Sequence, residues 1–477
     1  MTTTDPVRED ASAGEAGEGT LRFPTGFLWG SATSSYQIEG ASTVDGRGPS
    51  IWDTFSTTPG KVLGGDTGDV ACDHYHRYPE DIALMRELGL PAYRFSVAWP
   101  RVQPTGSSTV NRAGLGFYDR LVDSLLEAGI QPLPTLYHWD LPQALEDKGG
   151  WTVRDTAERF ADYAAVVHSH LGDRVTEWTT LNEPFCSAYL GYFSGVHAPG
   201  ATDPVLALRA LHHLLLGHGL ATQAMRAQAS ADHLFSLVLN FSPVRIDHDD
   251  EAHREAQRRA DGLQNRMFLD PVVRGEYPAD VLADIAHLDA LDAVVRPGDL
   301  EVISTPLDWL GVNYYSPTRV KPAADPAHET VSHLPGLRGV EMLPPRGPLT
   351  GIGWEQEPAA LRDLLLWLSE QAPELPLLVT ENGSAFDDVV TADGRVHDVG
   401  RRKYLVEHLR AVHAAVSAGA NVRGYLAWSL LDNFEWAFGY RQRFGLVHVD
   451  FETQKRTPKD TAHLFSTIVR TNSVPPS

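Results

Sequence analysis

Short apolar runs alternate with longer amphipathic segments along most of the chain, and this alternation constrains the fold more than any other feature. Strands that alternate with helices predict a parallel sheet with helical crossovers. The helical patterns include residues 79–88, 116–128, 157–170 and 360–371. Eight candidate strands begin near Phe27, Ala92, Gln131, Val175, Phe235, Leu307, Leu377 and Arg423. Eight is the number of strands that closes a (β/α)8 barrel.

The length of the chain fits one barrel with long loops. A (β/α)8 TIM barrel takes about 250 residues and exceeds about 400 when its βα loops are long. We therefore predict that residues 21–470 of the 477-residue chain form a single α/β domain of this type. Residues 322–353, rich in Pro and Gly, are predicted to be a long rim loop that either shapes a pocket mouth or has no chemical role. Residues 1–20 are predicted to be a disordered acidic tail.

The charge and the cysteine content limit the partners and the compartment. The chain has 62 acidic and 40 basic residues and a net charge of −22. Nucleic acids and anionic membranes are bound through Lys and Arg, so a small neutral substrate is expected instead. Two cysteines, Cys72 and Cys186, are typical of reduced thiols in a cytoplasmic protein. No signal peptide or membrane span is apparent, and the pattern leaves the oligomeric state open.

Two five-residue stretches each end a β-branched run with a glutamate, namely residues 180–184 (TLNEP) and 379–383 (VTENG). Pro and Asn-Gly end strands and open loops, so Glu183 and Glu381 are predicted to end the fourth and the seventh strand. Although 198 residues separate the two glutamates, the carboxyl ends of all barrel strands converge on one face. We therefore predict one site with two carboxylates, which is what the cleavage of a glycosidic bond requires.

From about Phe23 to Phe465, the sequence resembles glycoside hydrolase family 1, the β-glucosidase family. The two glutamate stretches are part of this resemblance, and seven further motifs occur in the same order. They are FP at 23–24, FLWG at 27–30, ATSSYQIEG at 32–40, YRFS at 93–96, HWDLP at 138–142, NYY at 313–315 and WSLLDNFEW at 428–436.

The resemblance implies distinct roles for the two glutamates, with Glu381 as the nucleophile and Glu183 as the acid/base. It brings Arg94 and Tyr315 close to Glu381, where a cation and a hydrogen-bond donor favour the ionised form of a nucleophile. Burial and the neighbouring carboxylate are expected to raise the pKa of Glu183. A retaining enzyme of this kind holds the two carboxyl groups about 5 to 5.5 Å apart.

The resemblance also implies a sugar-binding site. Trp428 is expected to lie under the sugar ring, Asn182 to bind its 2-hydroxyl and Asn313 to support this network. Phe185 and Trp354 match positions on the leaving-group side of the site. Because this side varies within the family, the resemblance does not decide whether either residue contacts the leaving group. The hydroxyl-binding positions of the family are matched by Gln37, His138, Asn182, Glu435 and Trp436.

Metal and cofactor sites are not expected. Asp73, His74 and His76 form a short cluster, but no second half with recognisable ligand spacing accompanies it, and a glutamate pair needs no metal. The sequence has no phosphate-cradling Gly-rich loop and no dinucleotide fingerprint. Cys186 lies three residues after Glu183, and a buried inert thiol is favoured over a role near the pocket.

The leading functional hypothesis is a retaining exo-β-glucosidase acting on cellobiose-like oligosaccharides and on aryl or alkyl glucosides. A β-galactosidase or β-fucosidase of the same fold is an alternative, since the placement of Gln37 and Glu435 decides the sugar. A 6-phospho-β-glycosidase is disfavoured because Glu435 would repel a phosphate. A sugar-binding protein that has lost catalysis is disfavoured because both glutamates are present together with Arg94.

Overall fold

The computed structural model describes residues 19–107 and 109–476, and the predicted acidic tail lies outside the described residues apart from its last two. Eight parallel strands, numbered β1 to β8 here, close into a barrel in which each pairs with the next along the chain and β8 pairs with β1. Their bounds are Leu28–Ala32, Ala92–Ser96, Gln131–Tyr137, Glu177–Asn182, Leu234–Phe241, Trp309–Tyr314, Leu377–Asn382 and Val422–Trp428. The predicted (β/α)8 barrel is confirmed, and every strand begins within two residues of its predicted start.

Helices occupy every connection between strands. The main ones are His74–Leu88, Arg112–Glu127, Arg154–Leu171, Pro204–Arg226, Glu251–Asp261, Met267–Arg274, Ala279–Ile285, Asp299–Ile303, Pro358–Gln371, Val399–Ser417 and, after β8, Asp460–Thr471. Shorter helices follow β1, β2 and β3, at Ser35–Ile38, Ile51–Thr57, Trp99–Val102 and Gln143–Glu146. Two π-helical turns are present, at Cys186–Leu190 and Gly262–Arg266.

The helix Arg112–Glu127 shows how these segments form. The Asn111 side chain accepts a hydrogen bond from the Ala113 amide at 3.2 Å and so caps the first turn. Leu115, Tyr118, Val122 and Leu125 are buried at spacings of three and four residues, which places them on one face. This face packs towards the barrel, and the helix begins four residues before the predicted start.

Two further segments differ from the sequence prediction. The first long helix begins at His74 and contains Pro79, which was predicted to begin it. Residues 322–353 are not a simple rim loop, because Val340–Leu343 pairs antiparallel with Thr318–Pro322 and buries Val340 completely. Thr318–Pro322 pairs in turn with Val244–Arg245, so three strands cover this side of the barrel rim.

Two more pairs of short strands lie outside the barrel. Leu21–Arg22 pairs with Ser473–Val474, and Val447–Val449 pairs with Arg456–Pro458. Within the parts of the chain that the structure describes, no helix is both long enough and apolar enough to cross a membrane.

The barrel interior has an apolar end and a polar end. Its apolar cluster lies towards the amino-terminal ends of the strands and comprises Ala92, Leu133, Trp309, Leu378 and Leu426. Side chains of this kind fill the interior of a small barrel. Polar side chains lie mainly at the carboxyl-terminal ends, where the loops open, and at the amino-terminal ends the buried Glu177 pairs with Arg423.

Candidate active site

Both predicted glutamates lie at the carboxyl-terminal rim of the barrel. Glu183 directly follows β4, and Glu381 is the fifth residue of β7. Both are buried, and the backbone of Glu183 is left-handed, with a φ of 47°. Trp139 and Trp436 at the same rim also have positive φ values, of 78° and 50°. Non-glycine residues adopt this conformation at an energetic cost, and such strain concentrates at functional sites.

Glu381 lies against a cation and a phenol. Arg94 Nη1 donates to Glu381 Oε1 at 2.6 Å, and the Tyr315 hydroxyl donates to Oε2 at 2.8 Å. Burial raises the pKa of Glu381, while the charge and the hydrogen bond of Arg94 and the hydrogen bond of Tyr315 oppose that rise. The surroundings of Glu381 thus contain the groups that stabilise a buried carboxylate.

Glu183 has weaker donors and no adjacent cation. Asn313 Nδ2 donates to Glu183 Oε1 at 2.6 Å, and the Cys186 thiol donates to Oε2 at 3.0 Å. Burial, and then the charge of Glu381, raise the pKa of Glu183 to about 8. When the pair holds one proton, the proton therefore resides on Glu183, because Glu381 has the guanidinium.

Amide side chains join the two carboxyl groups into one hydrogen-bonded cluster. Arg94 Nη2 donates to Asn182 Oδ1 at 2.7 Å, and Asn313 Nδ2 donates to the same oxygen at 3.1 Å. The Thr380 hydroxyl donates to Asn313 Oδ1 at 2.7 Å. Hydrogen bonds thus link Glu381 to Glu183 without a break, through Arg94, Asn182 and Asn313.

His138 and two tryptophans lie beside this cluster. Asn182 Nδ2 is 3.2 Å from His138 Nε2, and burial followed by the charge of Arg94 holds the pKa of His138 well below its usual range. The neutral His138 ring is nearly parallel to those of Trp428 and Trp436, with centroids 5.8 and 6.0 Å away. These flat apolar faces and polar edges are suited to the two sides of a sugar ring.

A third carboxyl group, that of Glu435, faces the same space. Gln37 Nε2 donates to Glu435 Oε2 at 3.3 Å and to the Phe434 carbonyl at 3.0 Å. Burial and then the charges of Glu381 and Glu183 raise the pKa of Glu435 to about 8. A ligand with several hydroxyl groups would give these acceptors the donors they lack.

The structure places Phe185 and Trp354 in two different aromatic groups at the edge of the site. Phe185 packs on Tyr189 and Phe268, with ring centroids 5.0 and 5.8 Å apart. Trp354 packs on Tyr315 at 5.3 Å and is therefore one residue removed from Glu381. A leaving-group contact for either residue stays a prediction.

Some contacts at the site were not predicted from the sequence. Cys186 is buried, as predicted, and its thiol donates to Glu183 Oε2 at 3.0 Å, a contact that the sequence did not predict. Thr380 orients Asn313, and Trp139 Nε1 donates to the Asn182 carbonyl at 3.0 Å. Thr380 and Trp139 lie within the quoted motifs, and Cys186 lies shortly after one of them. This closeness to the motifs is the sequence feature that could have indicated these contacts.

Gly383 allows the ends of β7 and β8 to meet. A Cβ atom on this residue would overlap the carbonyl oxygen of Trp428, so only glycine fits after the Glu381-Asn382 pair. The close approach brings Trp428 to the strand end that carries Glu381.

The short histidine cluster of the sequence is divided between separate partners. His74 Nδ1 contacts Asp81 at 2.8 Å, whereas His76 Nδ1 contacts Asp73 at 2.6 Å. Over residues 19–107 and 109–476, no three His, Cys, Asp or Glu side chains are grouped as metal ligands.

Comparison with known proteins gives matches over nearly the whole chain. The family model of glycosyl hydrolase family 1 matches residues 20–474. Thermostable β-glucosidase B of Thermobispora bispora is 53% identical over 98% of this chain and 94% of its own length. A bifunctional β-D-glucosidase/β-D-fucosidase of Bifidobacterium breve is 51% identical over 93% of this chain and 97% of its own.

A solved structure agrees with these sequence matches. The β-glucosidase from Thermotoga maritima in complex with glucoimidazole has a TM-score of 0.88 and 45% identity, covering 94% of this chain and 99% of that one. The fold, the rim position of both glutamates and the matched motifs all agree with the family match, and the chain belongs to glycosyl hydrolase family 1.

Proposed function

We propose that the protein is a retaining exo-β-glucosidase that releases terminal β-linked glucose from short oligosaccharides such as cellobiose and from aryl or alkyl glucosides. Glu381 is the nucleophile and Glu183 the acid/base. One observation carries this proposal: two buried carboxyl groups share a hydrogen-bonded cluster in which only Glu381 contacts a cation. Retaining cleavage requires such a pair, with one carboxyl ionised and the other protonated.

In the first step, a carboxylate oxygen of Glu381 attacks the anomeric carbon while Glu183 transfers its proton to the glycosidic oxygen. The bond between the anomeric carbon and that oxygen breaks, the alcohol leaves, and a glycosyl ester forms on Glu381. Arg94 and Tyr315 favour the ionised nucleophile before the attack.

In the second step, the same groups exchange tasks. The ester on Glu381 is neutral, so the charge that raised the pKa of Glu183 is gone and Glu183 becomes a carboxylate. Glu183 then removes a proton from water, whose oxygen attacks the anomeric carbon and releases Glu381. Two inversions give net retention, and this proposal predicts a carboxyl separation of about 5 to 5.5 Å.

The residues around the two carboxyl groups support a sugar of the glucose type. Asn182 is the proposed partner of the 2-hydroxyl, and Trp428 is the proposed platform under the ring. Gln37 and Glu435 already bind each other, and a hydroxyl placed between them would accept from the amide and donate to the carboxyl group. Glucoimidazole, which the Thermotoga maritima relative binds, is a suitable probe of this pocket.

β-Fucosidase activity is a second candidate. The Bifidobacterium breve relative is named for both activities and is 51% identical to this chain. D-Fucose lacks the 6-hydroxyl of glucose and has an axial 4-hydroxyl, so the ratio of the two activities depends on the binding energy that both positions supply. Rates on p-nitrophenyl β-glucoside, β-fucoside and β-galactoside, compared as kcat/KM, would rank the sugars.

Two other functions that this fold could serve fit the site less well. A 6-phospho-β-glycosidase needs cations for its phosphate, whereas this position has Glu435 beside Gln37. A binding protein without turnover needs no ionised nucleophile, whereas Glu381 has both Arg94 and Tyr315 as donors.

The proposal is tested by incubating the protein with p-nitrophenyl β-glucoside and following the sugar by ¹H NMR. We expect steady release of nitrophenol, with β-glucose as the first product before mutarotation. α-Glucose as the first product would refute the retaining mechanism. No turnover at high protein concentration, combined with tight binding of glucoimidazole, would favour a binding protein.

The biological setting is part of the same proposal. Release of glucose from cellobiose would place the enzyme at the last step of cellulose breakdown. The two free, buried thiols of Cys72 and Cys186 support a reducing, cytoplasmic location. Activity found in the medium and not in the cell lysate of the source organism would contradict this location.

A further inference from the structure

The two oxygens of the Glu183 carboxyl group are held by donors of different kinds. Oε1 accepts from the Asn313 amide, which lies on β6, at 2.6 Å. Oε2 accepts from the thiol of Cys186, in the turn after β4, at 3.0 Å. Because an amide N–H can only donate and a thiol can both donate and accept, the two oxygens are not equivalent.

The orientation of the Asn313 amide is fixed by its neighbours. A guanidinium only donates, so the Asn182 atom that contacts Arg94 Nη2 at 2.7 Å must be the carbonyl oxygen. The Asn313 group that contacts this oxygen at 3.1 Å must then be the amide nitrogen. The same nitrogen contacts Glu183 Oε1, which is therefore the carbonyl oxygen of the protonated acid. The acid proton consequently lies on Oε2, next to Cys186.

The backbone fixes the position of the thiol. The Cys186 amide donates to the Glu183 carbonyl at 3.0 Å, and Cys186 begins the π-helical turn Cys186–Leu190. Wide turns of this type are frequent at functional sites. Cys186 and Glu183 are both buried, so little of their contact is open to solvent.

We propose that Cys186 is a positioning residue for the acid/base, whose thiol holds the proton-bearing oxygen of Glu183 and sets the pH at which the proton is lost. When Glu183 is ionised, the S–H group donates to Oε2. When Glu183 is protonated, the thiol rotates and its sulfur is a weak acceptor, which leaves the acid proton free for the leaving oxygen. This inference rests on the proposed function of Glu183.

Several other titratable groups interact with the charge of Glu183. They are Glu381 from β7, Arg94 from β2, and Glu435 and Tyr315 from the loops after β8 and β6. None of them is altered by a substitution at position 186. Burial raises the pKa of the Cys186 thiol well above its usual range, so the thiol stays protonated and remains a donor at neutral pH.

The test is the pH dependence of kcat/KM on cellobiose, whose leaving alcohol needs a proton, for Cys186→Ser, Cys186→Ala and the unmodified protein. The serine hydroxyl is a stronger donor to a carboxylate than a thiol and should move the alkaline limb down by about half a pH unit. Alanine removes the donor and should move that limb up by a similar amount. Cys72→Ser is the matched control, because this buried thiol donates to the Asp432 carbonyl and not to a carboxylate.

The result that would overturn the inference is a common alkaline limb for all three proteins, or a shift in the same direction for serine and alanine. Melting temperatures are measured in parallel to check that each variant folds. Because the serine and alanine variants should shift the alkaline limb in opposite directions, either variant alone tests the inference if the other fails to fold. Absence of glycosidase activity in the unmodified protein would refute the proposed function. Activity with unshifted limbs would refute only the role of Cys186.

Discussion

Glu183 and Glu381 occupy equivalent places in the barrel and have opposite surroundings. Each lies at the carboxyl-terminal end of a strand and each is buried, but Glu381 contacts a guanidinium and a phenol, whereas Glu183 contacts an amide and a thiol. The comparison teaches that neighbours and not residue type distinguish the two proposed roles, because a cation stabilises the ionised form of a carboxyl group and its absence favours the protonated form.

The largest effect is expected from removing Glu381, the proposed nucleophile. Glu381→Gly should lower hydrolysis by roughly 10⁵-fold, because no group is left to form the ester. Azide in the vacated space should restore turnover of an activated glucoside and give the α-glucosyl azide. A β-configured azide product, identified by NMR, would assign the nucleophile role to the other glutamate.

The effect of removing Glu183, the proposed acid, should depend on the leaving group. Glu183→Ala should lower kcat/KM by about 10² to 10⁴-fold on cellobiose, where the leaving alcohol needs a proton. On 2,4-dinitrophenyl β-glucoside kcat/KM should change little, since this constant reports the first step only and its leaving group needs no proton. Equal losses of kcat/KM on both substrates would contradict the proposed role of Glu183 as the acid.

Removal of the Arg94 guanidinium should make the surroundings of the two glutamates more alike. Arg94→Gln should raise the pKa of Glu381, so that the nucleophile stays protonated to higher pH and the acidic limb of kcat/KM moves up. We expect a loss of about 10²-fold at neutral pH. Arg423→Gln is a matched control, because Arg423 pairs with Glu177 at the opposite end of the barrel and should leave both limbs in place.

The smallest effect concerns the orientation of Asn313. Thr380→Val keeps the shape of the side chain but removes the donor to Asn313 Oδ1, so the amide loses its fixed orientation towards Glu183. We expect about a tenfold loss of kcat/KM on cellobiose. Thr380→Ser should restore most of the activity, and a serine variant as impaired as the valine variant would indicate a packing role instead.

The barrel could be predicted from the sequence because parallel strands are buried on both faces and read as continuous apolar runs. Leu377–Asn382 is an example, in which the three apolar residues are fully buried before Thr380 and Glu381 begin the polar rim. The positions of both glutamates followed from the same rule. The family resemblance supplied the wider residue set, which composition alone could not have done.

Other features depend on contacts that sequence patterns do not encode. Cys186 reaches Glu183 because the backbone of Glu183 is left-handed and a π-helical turn follows. The strand Val340–Leu343 forms because Thr318–Pro322 offers it an edge, although Pro and Gly around it are typical of a loop. Both are tertiary effects that override local preference.

The pairing of Leu21–Arg22 with Ser473–Val474 has a practical consequence for protein engineering. A Cβ atom on Gly19 would lie 3.2 Å from Pro476, so the first and last described residues are neighbours in space. A short linker could join them, and new termini could be opened at the exposed turn 230–232, which precedes β5 on the face opposite the rim. Such a circular permutant would keep every strand end that carries the reacting groups.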